Sequence, residues 1–468
     1  MVSSTAVNVM KNIAQQQSVM GGWFTGRRWT FSLPLLLAGI LLCPGWTKHG
    51  IAFADQTAEE STPREEGGEA ATGEAAGFRT LLAGEALHAV FLGKKIDIPA
   101  LDRNHISALV LGGEFYIPKQ GGTFGAPMGG IYLKRVWENS RTRNIICIFI
   151  NDLEYDRSFG NLELVTRFES NTLPGGRREV VNNQEIKSSE AEWGTVIASM
   201  GPGLRYKVAP FQVDNDLRLQ LLGKVGYFYT KRTDNTGPNL VLPPSTMLYG
   251  VKLRGRYDGM RRNLLELPHT GMAAGFDLDY MHRDKWANFG TIPDAVFKRS
   301  DTRDYLQFNG YFMGVGKFPG LSEKNRILFS FHGGITPKKS ADRYNAITIG
   351  GGPLPGESDD LFRPNYPGTM FNQVLVSDYA LAALQYRRAL TPFLYLHLRE
   401  TLIWAKRATV TDANKFLFKS SDGVASTIGL DTGFFWNSML YLGYSFDSSF
   451  IRNGESGSSL IVTWSKLF

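Results

Sequence analysis

The last segment of the chain, residues 460–468, alternates large apolar side chains with smaller or polar ones. Leu460, Val462, Trp464 and Phe468 fall on one face of an extended strand, and Lys466 interrupts that face. In the wall of a membrane β-barrel, each strand shows one face to lipid and the other to a polar lumen over about 10 residues. The C-terminal segment therefore predicts a barrel strand with Trp464 and Phe468 on its lipid face.

The N-terminal residues 1–54 have the pattern of a cleaved secretory signal peptide. Arg27 and Arg28 precede an apolar stretch over residues 29–42, and residues 52–54 (Ala-Phe-Ala) form a small-x-small cleavage site. No later segment offers the roughly 20 apolar residues of a membrane helix. The sequence therefore predicts export across the inner membrane of a Gram-negative cell without a helical anchor.

Charge and cysteine content bound the class of protein further. Residues 1–54 contain four Lys/Arg and no acids, so their removal lowers the net charge from +7 to +3 (7 − 4). This small excess gives no argument for a nucleic-acid partner. Cys147 is the single cysteine after residue 54, so no internal disulfide is expected.

The region before the first predicted barrel strand has two parts. Residues 55–77 are acidic and rich in Gly, Ala, Ser, Thr and Pro, which predicts a disordered linker. Residues 78–105 form a short predicted periplasmic segment, in which apolar residues between Phe78 and Phe91 recur at helical spacing. We expect a helix over residues 78–93, more simply a surface helix than a plug or lid on the periplasmic mouth.

From residue 106 onward, hydrophobicity alternates with a period of two. The clearest segment, residues 249–258, puts Tyr249 and Val251 on one face and charged residues on the other. About sixteen such segments predict an all-β, transmembrane antiparallel barrel over residues 106–468, since single-chain bacterial barrels have even strand counts. They start near Ile106, Met128, Asn144, Asn161, Trp193, Leu217, Met247, Met272, Tyr305, Arg326, Ala346, Val374, Thr391, Val424, Asn437 and Ser458. This count places the long stretch 171–191 in a periplasmic turn.

Residues 346–356 contain a Gly-Gly-Gly-Pro run, and residues 379–390 contain Leu384-Gln385-Tyr386-Arg387. This pair of segments resembles the BamA/TamA family of outer-membrane proteins (the bacterial surface antigen type), in which a Gly-Gly strand end leads into an inward-folded loop and then a Leu-x-Tyr-Arg strand. By our count the loop is the sixth on the extracellular side, as in that family. The resemblance implies an inward loop over 353–374. Gly351 and Gly352 belong to the strand end that leads into this loop, and Gly356, Arg363 and Gly368 lie within it.

The chain departs from the family in two respects. The loop lacks the family's Arg-Gly-aromatic tip, for which Arg363 is the candidate replacement. Residues 55–104 are too few for a periplasmic polypeptide-transport-associated domain.

The resemblance implies a role in outer-membrane protein or lipid assembly or transport. It also implies a weak seam between the strand near Ile106 and the strand ending at Phe468. The implied partners are outer-membrane lipids, client outer-membrane proteins and the barrel-assembly machinery, which would bind the C-terminal strand. The alternatives are a passive channel or structural barrel, and a soluble periplasmic β-sandwich.

Several polar side chains are predicted to face the lumen. Opposite charges on two neighbouring strands predict a cross-strand charge ladder or, alternatively, an anion-selectivity patch in an open pore. The predicted lumen residues are Lys252, Arg254, Arg256, Asp277, Asp279, Gln385 and Arg387.

The sequence contains no pattern that indicates an enzyme. No Gly-x-Ser-x-Gly elbow occurs, and neither His282 nor His397 has a serine two residues on. The seven histidines lack metal-ligand spacing. We therefore expect no catalytic, cofactor or metal site, and we expect both histidines near strand ends or in the lumen.

Overall fold

A computed structural model describes residues 87–98, 102–118, 124–172, 176–211, 213–262, 268–337, 340–352, 361–369, 374–391, 394–413, 415–433, 438–452 and 455–468. The predicted signal peptide (1–54), the acidic linker (55–77) and the start of the predicted helix lie outside the described residues. Within the described part of the chain, no helix has the length and apolar character needed to cross a membrane.

The alternating segments of the sequence form β-strands. The first eleven are β1 (Leu87–Phe91), β2 (Lys94–Ile98), β3 (His105–Pro118), β4 (Phe124–Val136), β5 (Ser140–Ile146), β6 (Ile150–Phe159), β7 (Leu162–Asn171), β8 (Arg177–Val181), β9 (Gln184–Lys207), β10 (Asp216–Arg232) and β11 (Thr246–Asp258). The others are β12 (Gly271–Arg283), β13 (Phe289–Ile292), β14 (Ala295–Phe297), β15 (Asp304–Lys317), β16 (Asn325–Ile335), β17 (Ile347–Ile349), β18 (Val374–Thr391), β19 (Leu394–Val410), β20 (Phe416–Gly433), β21 (Ser438–Arg452) and β22 (Glu455–Leu467).

These strands close into an antiparallel barrel, as predicted. Each wall strand pairs with its neighbour along the chain, and β22 pairs with β3 to complete the ring. Strands β8 and β17 are additions at one end, because β7 also pairs directly with β9 and β16 with β18. Among the described residues the wall therefore has sixteen strands.

The predicted count of sixteen was right because two errors cancelled. The prediction missed β6, which follows β5 after only three residues, and it counted β17, which is three residues long, as a wall strand. Missing β6 reversed the predicted direction of β7 to β16, and counting β17 restored the direction from β18 onward. The stretch 171–191 consequently lies at the end opposite the C-terminus, which carries the longer connections, and not in a periplasmic turn as we expected.

The two faces of the wall differ as the alternation predicts. Outward side chains such as Leu221, Val251 and Leu402 are about half exposed (50%, 47% and 54%). Inward side chains are largely polar and buried, for example Gln220 and Thr401. A continuous exposed apolar belt around a closed barrel is the surface of a membrane-spanning protein. The soluble β-sandwich is therefore wrong.

The predicted N-terminal helix is also wrong where it can be compared. Residues 87–98 form a two-stranded antiparallel hairpin, in which Leu87 pairs with Ile98 and Phe91 with Lys94. The turn residues Leu92 and Gly93 have φ angles of 50° and 76°. Two successive residues with positive φ form the tight turn of a β-hairpin and cannot continue a right-handed helix.

The ladder between β3 and β22, called the seam below, is fully paired, which contradicts the predicted weak contact. Its register runs without a shift from Gly457↔Pro118 to Leu467↔Ala108. A further hydrogen bond joins the amide of Phe468 to the carbonyl of Ser107 (2.9 Å). The β4–β5 ladder, from Ile131↔Ile146 to Val136↔Arg141, is shorter. Both seam strands are long, so they pair over their shared length.

Candidate functional site

The connection between β16 and β18 is the sixth at the end opposite the C-terminus, and it folds into the barrel. We call its described residues 340–352 and 361–369 the inner segment. Asp342, Asn365 and Tyr366 are almost fully buried. The apolar part of the segment packs on the inner face of β18–β20, where Ile349 and Tyr366 share a buried cluster with Ile403. The lumen is therefore occupied by the chain itself.

The first part of the inner segment, residues 340–352, is held by a buried ion pair. Arg283, the last residue of β12, donates from Nη1 to Asp342 Oδ2 (2.6 Å) and from Nη2 to Asp342 Oδ1 (3.3 Å). Burial alone would raise the pKa of the Asp342 carboxyl, but the charge and hydrogen bonds of Arg283 hold that pKa below its ordinary value. The Arg283 guanidinium also stacks 3.7 Å from the Trp286 ring centroid. Because both groups are buried, their pairing fixes the segment to the wall.

Tyr344 adds an aromatic anchor beside this pair. Its ring lies edge-on to Trp193, Phe228 and Phe289, with centroid distances of 5.6, 5.3 and 5.2 Å. Edge-to-face pairs at these distances contribute beyond the area they bury. The anchor connects the inner segment to β9, β10 and β13.

The second part of the inner segment, residues 361–369, contacts side chains on the inner faces of β11, β15, β16 and β21. Phe362 packs edge-on against Tyr311 (5.9 Å), and the Arg256 guanidinium lies 4.2 Å from the centroid of the Phe362 ring. The Leu361 carbonyl lies 3.0 Å from His332 Nε2, and Tyr366 donates to Asp447 Oδ1 (2.6 Å). The segment thus bridges β15 and β16 to β21 across the lumen.

The predicted loop residues that the structure describes lie in this segment. Arg363 donates from Nη1 to the Gly351 carbonyl (2.5 Å) and so ties the two parts of the segment together. A Cβ atom at Gly351 would lie 2.0 Å from the Thr369 carbonyl oxygen, so this approach requires glycine. Gly352 and Gly368 have φ angles of 89° and 82°. Gly356 lies outside the described residues.

The inner segment also lies against the seam. A Cβ atom at Gly351 would come 2.6 Å from Glu114 Oε1 of β3, so the inner segment lies directly beside β3. A small cavity at this point is lined by Glu114, by Asn365 of the segment, and by Ser459 and Ile461 of β22. The segment therefore lies against β3 and shares a cavity with β22 on the inner side of the closing ladder.

The predicted lumen charges lie together on β11 and β12. Lys252 Nζ is 3.6 Å from Asp277 Oδ2 and 3.3 Å from Asp279 Oδ2, and Arg256 Nη2 is 2.8 Å from Asp277 Oδ1. Arg254 pairs instead with Glu154 Oε2 (2.8 Å). In this arrangement the charges neutralise one another across strands.

Sequence reasoning missed the centre of this network, Glu154 on β6. Besides Arg254, its carboxylate lies 3.3 Å from Arg218 and 3.5 Å from Arg143. Nearby, Asp216 accepts from Arg205 (2.8 Å) and Arg218 (2.8 Å). The alternation of Asp152, Glu154 and Asp156 with apolar residues was the available signal, and the short β5–β6 turn concealed it. We call the inner face of β5–β12 the charged wall.

Gln385 and Arg387 lie buried on the inner face of β18. Gln385 Nε2 is 3.0 Å from His397 Nδ1, and Arg387 donates to the Pro268 carbonyl (2.7 Å). Pro268 belongs to the β11–β12 connection, which lies at the barrel end that carries the C-terminus. Its contact with Arg387 shows that this connection also enters the barrel. His397 is therefore a lumen residue, whereas His282 sits at the end of β12 with Nδ1 2.7 Å from Asp304 Oδ1.

A hairpin crosses the mouth of the barrel above the inner segment. We call residues 177–191, comprising β8 and the start of β9, the lid hairpin. At its tip, Asn182 donates from its amide to the Ala408 carbonyl (3.2 Å) and from Nδ2 to the Val410 carbonyl (2.9 Å), and it accepts from the Val410 amide (3.0 Å). β7 and β9 are the fifth and sixth wall strands and β19 is the thirteenth, so the hairpin reaches half-way round the ring.

The lid hairpin and the inner segment are joined to each other. Arg343 of the inner segment donates to the Ser189 carbonyl (2.6 Å) and also to the Arg177 carbonyl. Two layers of chain therefore lie across the end of the lumen opposite the C-terminus.

Outside the lumen, the C-terminal strand has the predicted orientation. Trp464 is on the outward face, and the exposed ring of Phe468 lies 5.2 Å from Lys466 Nζ. Within the described residues, no group of three His, Cys, Asp or Glu side chains could hold a metal ion.

No family model and no curated protein matches the chain. Among solved structures, CdiB from Acinetobacter baumannii is similar at 12% identity and a TM-score of 0.44, over 81% of this chain and 65% of that one. BamA from Haemophilus ducreyi lacking POTRA domains 1-3 is similar at 10% identity and a TM-score of 0.46, over 84% of this chain and 76% of that one. OmpT of Vibrio cholerae is similar at 10% identity and a TM-score of 0.34, over 79% of this chain and 98% of that one. The chain thus spans 65% of the CdiB chain.

At these identities and scores the likeness carries no information about function. The strand topology and the apolar belt are those of an outer-membrane β-barrel.

Proposed function

We propose that this chain is an outer-membrane transport barrel that its inner segment and lid hairpin keep closed. Displacement of these two elements would open a polar path along the charged wall. The observation that carries the proposal is the Arg283–Asp342 ion pair, which fixes the inner segment to the wall at the end of the barrel opposite the C-terminus.

The test is the conductance of the purified full chain in planar lipid bilayers. We expect little current from the wild type. Asp342→Ala leaves the Arg283 charge buried without its partner, which costs about 3–5 kcal/mol, so the inner segment should leave the wall and channel openings should become frequent. Asp102→Asn is the matched control, because it removes a carboxylate whose ion-pair partner is the exposed His105 at the other end of the barrel.

A wild-type chain that conducts steadily would contradict the closed state and favour the passive channel. Unchanged conductance of Asp342→Ala, in protein whose heat-modified mobility shows a folded barrel, would contradict the role of the inner segment. Reversal potentials of the open variant then distinguish a neutral charge ladder from an anion-selective path.

A second candidate is a role in the assembly of outer-membrane proteins or lipids, as the sequence resemblance implies. The position of the inner segment favours it, because the segment lies beside Glu114 of β3 and shares a cavity with Ser459 of β22. Movement of the segment would therefore change the inner side of the seam. The seam is fully paired, so lateral opening would require the ladder to separate. In this role the partners would be outer-membrane lipids, client proteins and the barrel-assembly machinery, which would bind the C-terminal strand through Trp464 and Phe468.

A disulfide across the seam tests the assembly role. Val110 and Ser465 are partners in the seam register, so Val110→Cys with Ser465→Cys, in a Cys147→Ser background, should staple β3 to β22. We expect less client protein or lipid in the outer membrane under oxidising conditions, and recovery with a reductant. Normal outer-membrane composition with the stapled barrel would exclude assembly through the seam.

A further inference from the structure

One carboxylate lies in the middle of the apolar belt, on the outer face of the barrel. Glu400 is exposed on β19, and its neighbours on the same face of that strand are Leu398 and Leu402, which are 45% and 54% exposed. The belt on β19 runs from Leu394 to Trp404, whose indole marks the level of the membrane interface. Glu400 therefore faces the hydrocarbon region, far from either interface.

The neighbouring strands supply one polar partner for this carboxylate. The register aligns Leu384 of β18, Glu400, Ser426 of β20 and Phe446 of β21 in one row. Ser426 donates from Oγ to Glu400 Oε2 (2.7 Å). One hydroxyl donor is too little for a carboxylate in lipid, because an ionisable group at this depth is costly unless it is paired.

Other charged side chains on the outer face are placed differently. Among the described residues they lie within a few positions of a strand end or level with Trp404, where a polar group can reach the interface. Examples are Arg157, Asp378, Arg388, Lys406 and Lys466. Asp378 and Lys406 also pair with each other (2.6 Å). Glu400 and Ser426 thus form an isolated polar pair at mid-depth.

We propose that Glu400 and Ser426 mark the contact surface at which a second copy of this chain binds in the membrane. The surface consists of this pair and the surrounding apolar side chains of β18–β21, Leu384, Leu398, Leu402, Val424, Ile428 and Phe446. This inference goes beyond the proposed function, which concerns the lumen.

Membrane geometry selects the second copy as the partner. Two copies inserted in the same direction can be related by a two-fold axis only if that axis is parallel to the membrane normal. Each residue then meets residues of its partner at its own depth. Because Glu400 and Ser426 form the mid-depth polar pair of the described outer face, they meet the same pair of the second copy. A carboxyl group of one copy, once protonated, donates to the carboxylate of the other, and the two serine hydroxyls complete the hydrogen-bonded group.

The test is oligomeric state in lipid vesicles, measured by single-molecule photobleaching over a range of protein-to-lipid ratios. We expect wild-type dimers, and for Glu400→Leu an association constant about tenfold lower, the effect of one or two hydrogen bonds in a membrane. Glu400→Gln retains a donor and an acceptor and should dimerise nearly as well as the wild type. Thr166→Leu, which removes a polar side chain from the outer face of β7 on the opposite wall, is the matched control and should change nothing.

Cysteine cross-linking locates the contact independently. In a Cys147→Ser background, Leu402→Cys should form an intermolecular disulfide, and Leu164→Cys on the opposite wall should not. Heat-modified mobility shows that each variant is folded, and Glu400→Leu should pass this check because it places an apolar side chain in the belt. Monomers at every protein-to-lipid ratio, dimers unaffected by Glu400→Leu, or a cationic partner protein in place of a second copy would each overturn the proposal.

Discussion

His269 is a half-buried histidine in the connection between β11 and β12, close to three arginines. Its Nε2 lies 2.8 Å from Arg326 Nη2. Burial, together with the charges of Arg326, Arg387 and Arg261, lowers the pKa of His269 to about 3. The folded protein therefore keeps this imidazole neutral under conditions in which the unfolded chain would protonate it.

This lowered pKa predicts acid sensitivity with a defined sign. Below the ordinary histidine pKa of about 6.5 the unfolded state binds a proton that the folded state does not bind, so stability falls as the pH drops from about 6.5 towards 3. His269→Gln cannot titrate and should reduce this loss. The urea midpoint of unfolding in lipid vesicles, measured between pH 7 and pH 4, checks it. If the urea midpoints of the wild type and His269→Gln fell equally between pH 7 and pH 4, His269 would not be the source of the acid sensitivity.

Gly351 is a position at which a single residue should affect the closed lumen. A Cβ atom there would overlap the Thr369 carbonyl oxygen, so Gly351→Ala must push the two parts of the inner segment apart. Overpacking of this kind costs about 1–3 kcal/mol, and we expect a lower urea midpoint and more frequent channel openings. Gly316→Ala is the control, because a Cβ atom at Gly316 meets nothing within 4 Å. Equal behaviour of the two variants would show that the approach at Gly351 is not tight.

At the scale of elements, the lid hairpin depends on its tip. Asn182→Ala removes two side-chain hydrogen bonds to β19, each contributing about 0.5–1.5 kcal/mol. We expect the hairpin to open roughly tenfold more often, which limited trypsin digestion after the exposed Lys187 would detect. Asn183→Ala is the matched control, since both residues have positive φ (54° and 60°) and the alanine strain is therefore shared. Equal cleavage of both variants would mean that the tip does not hold the lid.

Individual strands were predictable where the connection between them was unambiguous. The faces of β11 and β12, and hence the pairing of Lys252 with Asp277 and Asp279, follow from alternation alone, because side chains on a strand alternate strictly. β6 was missed because the three-residue turn from β5 lets two strands appear as one apolar region. The N-terminal helix was wrong because helical spacing over residues 78–93 carries no information about the left-handed turn at Leu92 and Gly93.

At the scale of the whole molecule, the closed ring predicts the behaviour of an outer-membrane barrel. The protein should remain with outer membranes after a carbonate wash and should migrate faster on electrophoresis before boiling than after, because the fully paired ring has no free edge at which detergent can open it. A chain that dissolves without detergent would contradict the membrane-spanning assignment. A single electrophoretic mobility before and after boiling would contradict the closed, fully paired seam.

The sequence by itself determined the barrel, its two faces and the residues that look into the lumen, because a period of two is a local property of each strand. Only the tertiary structure decided what those residues meet. Arg254 and Glu154 are 100 residues apart and Asn182 and Val410 are 228 apart, and each pair meets because the closed wall brings distant strands together. The inner segment and the lid hairpin likewise find their partners across the lumen, and the curvature of the closed ring sets those distances.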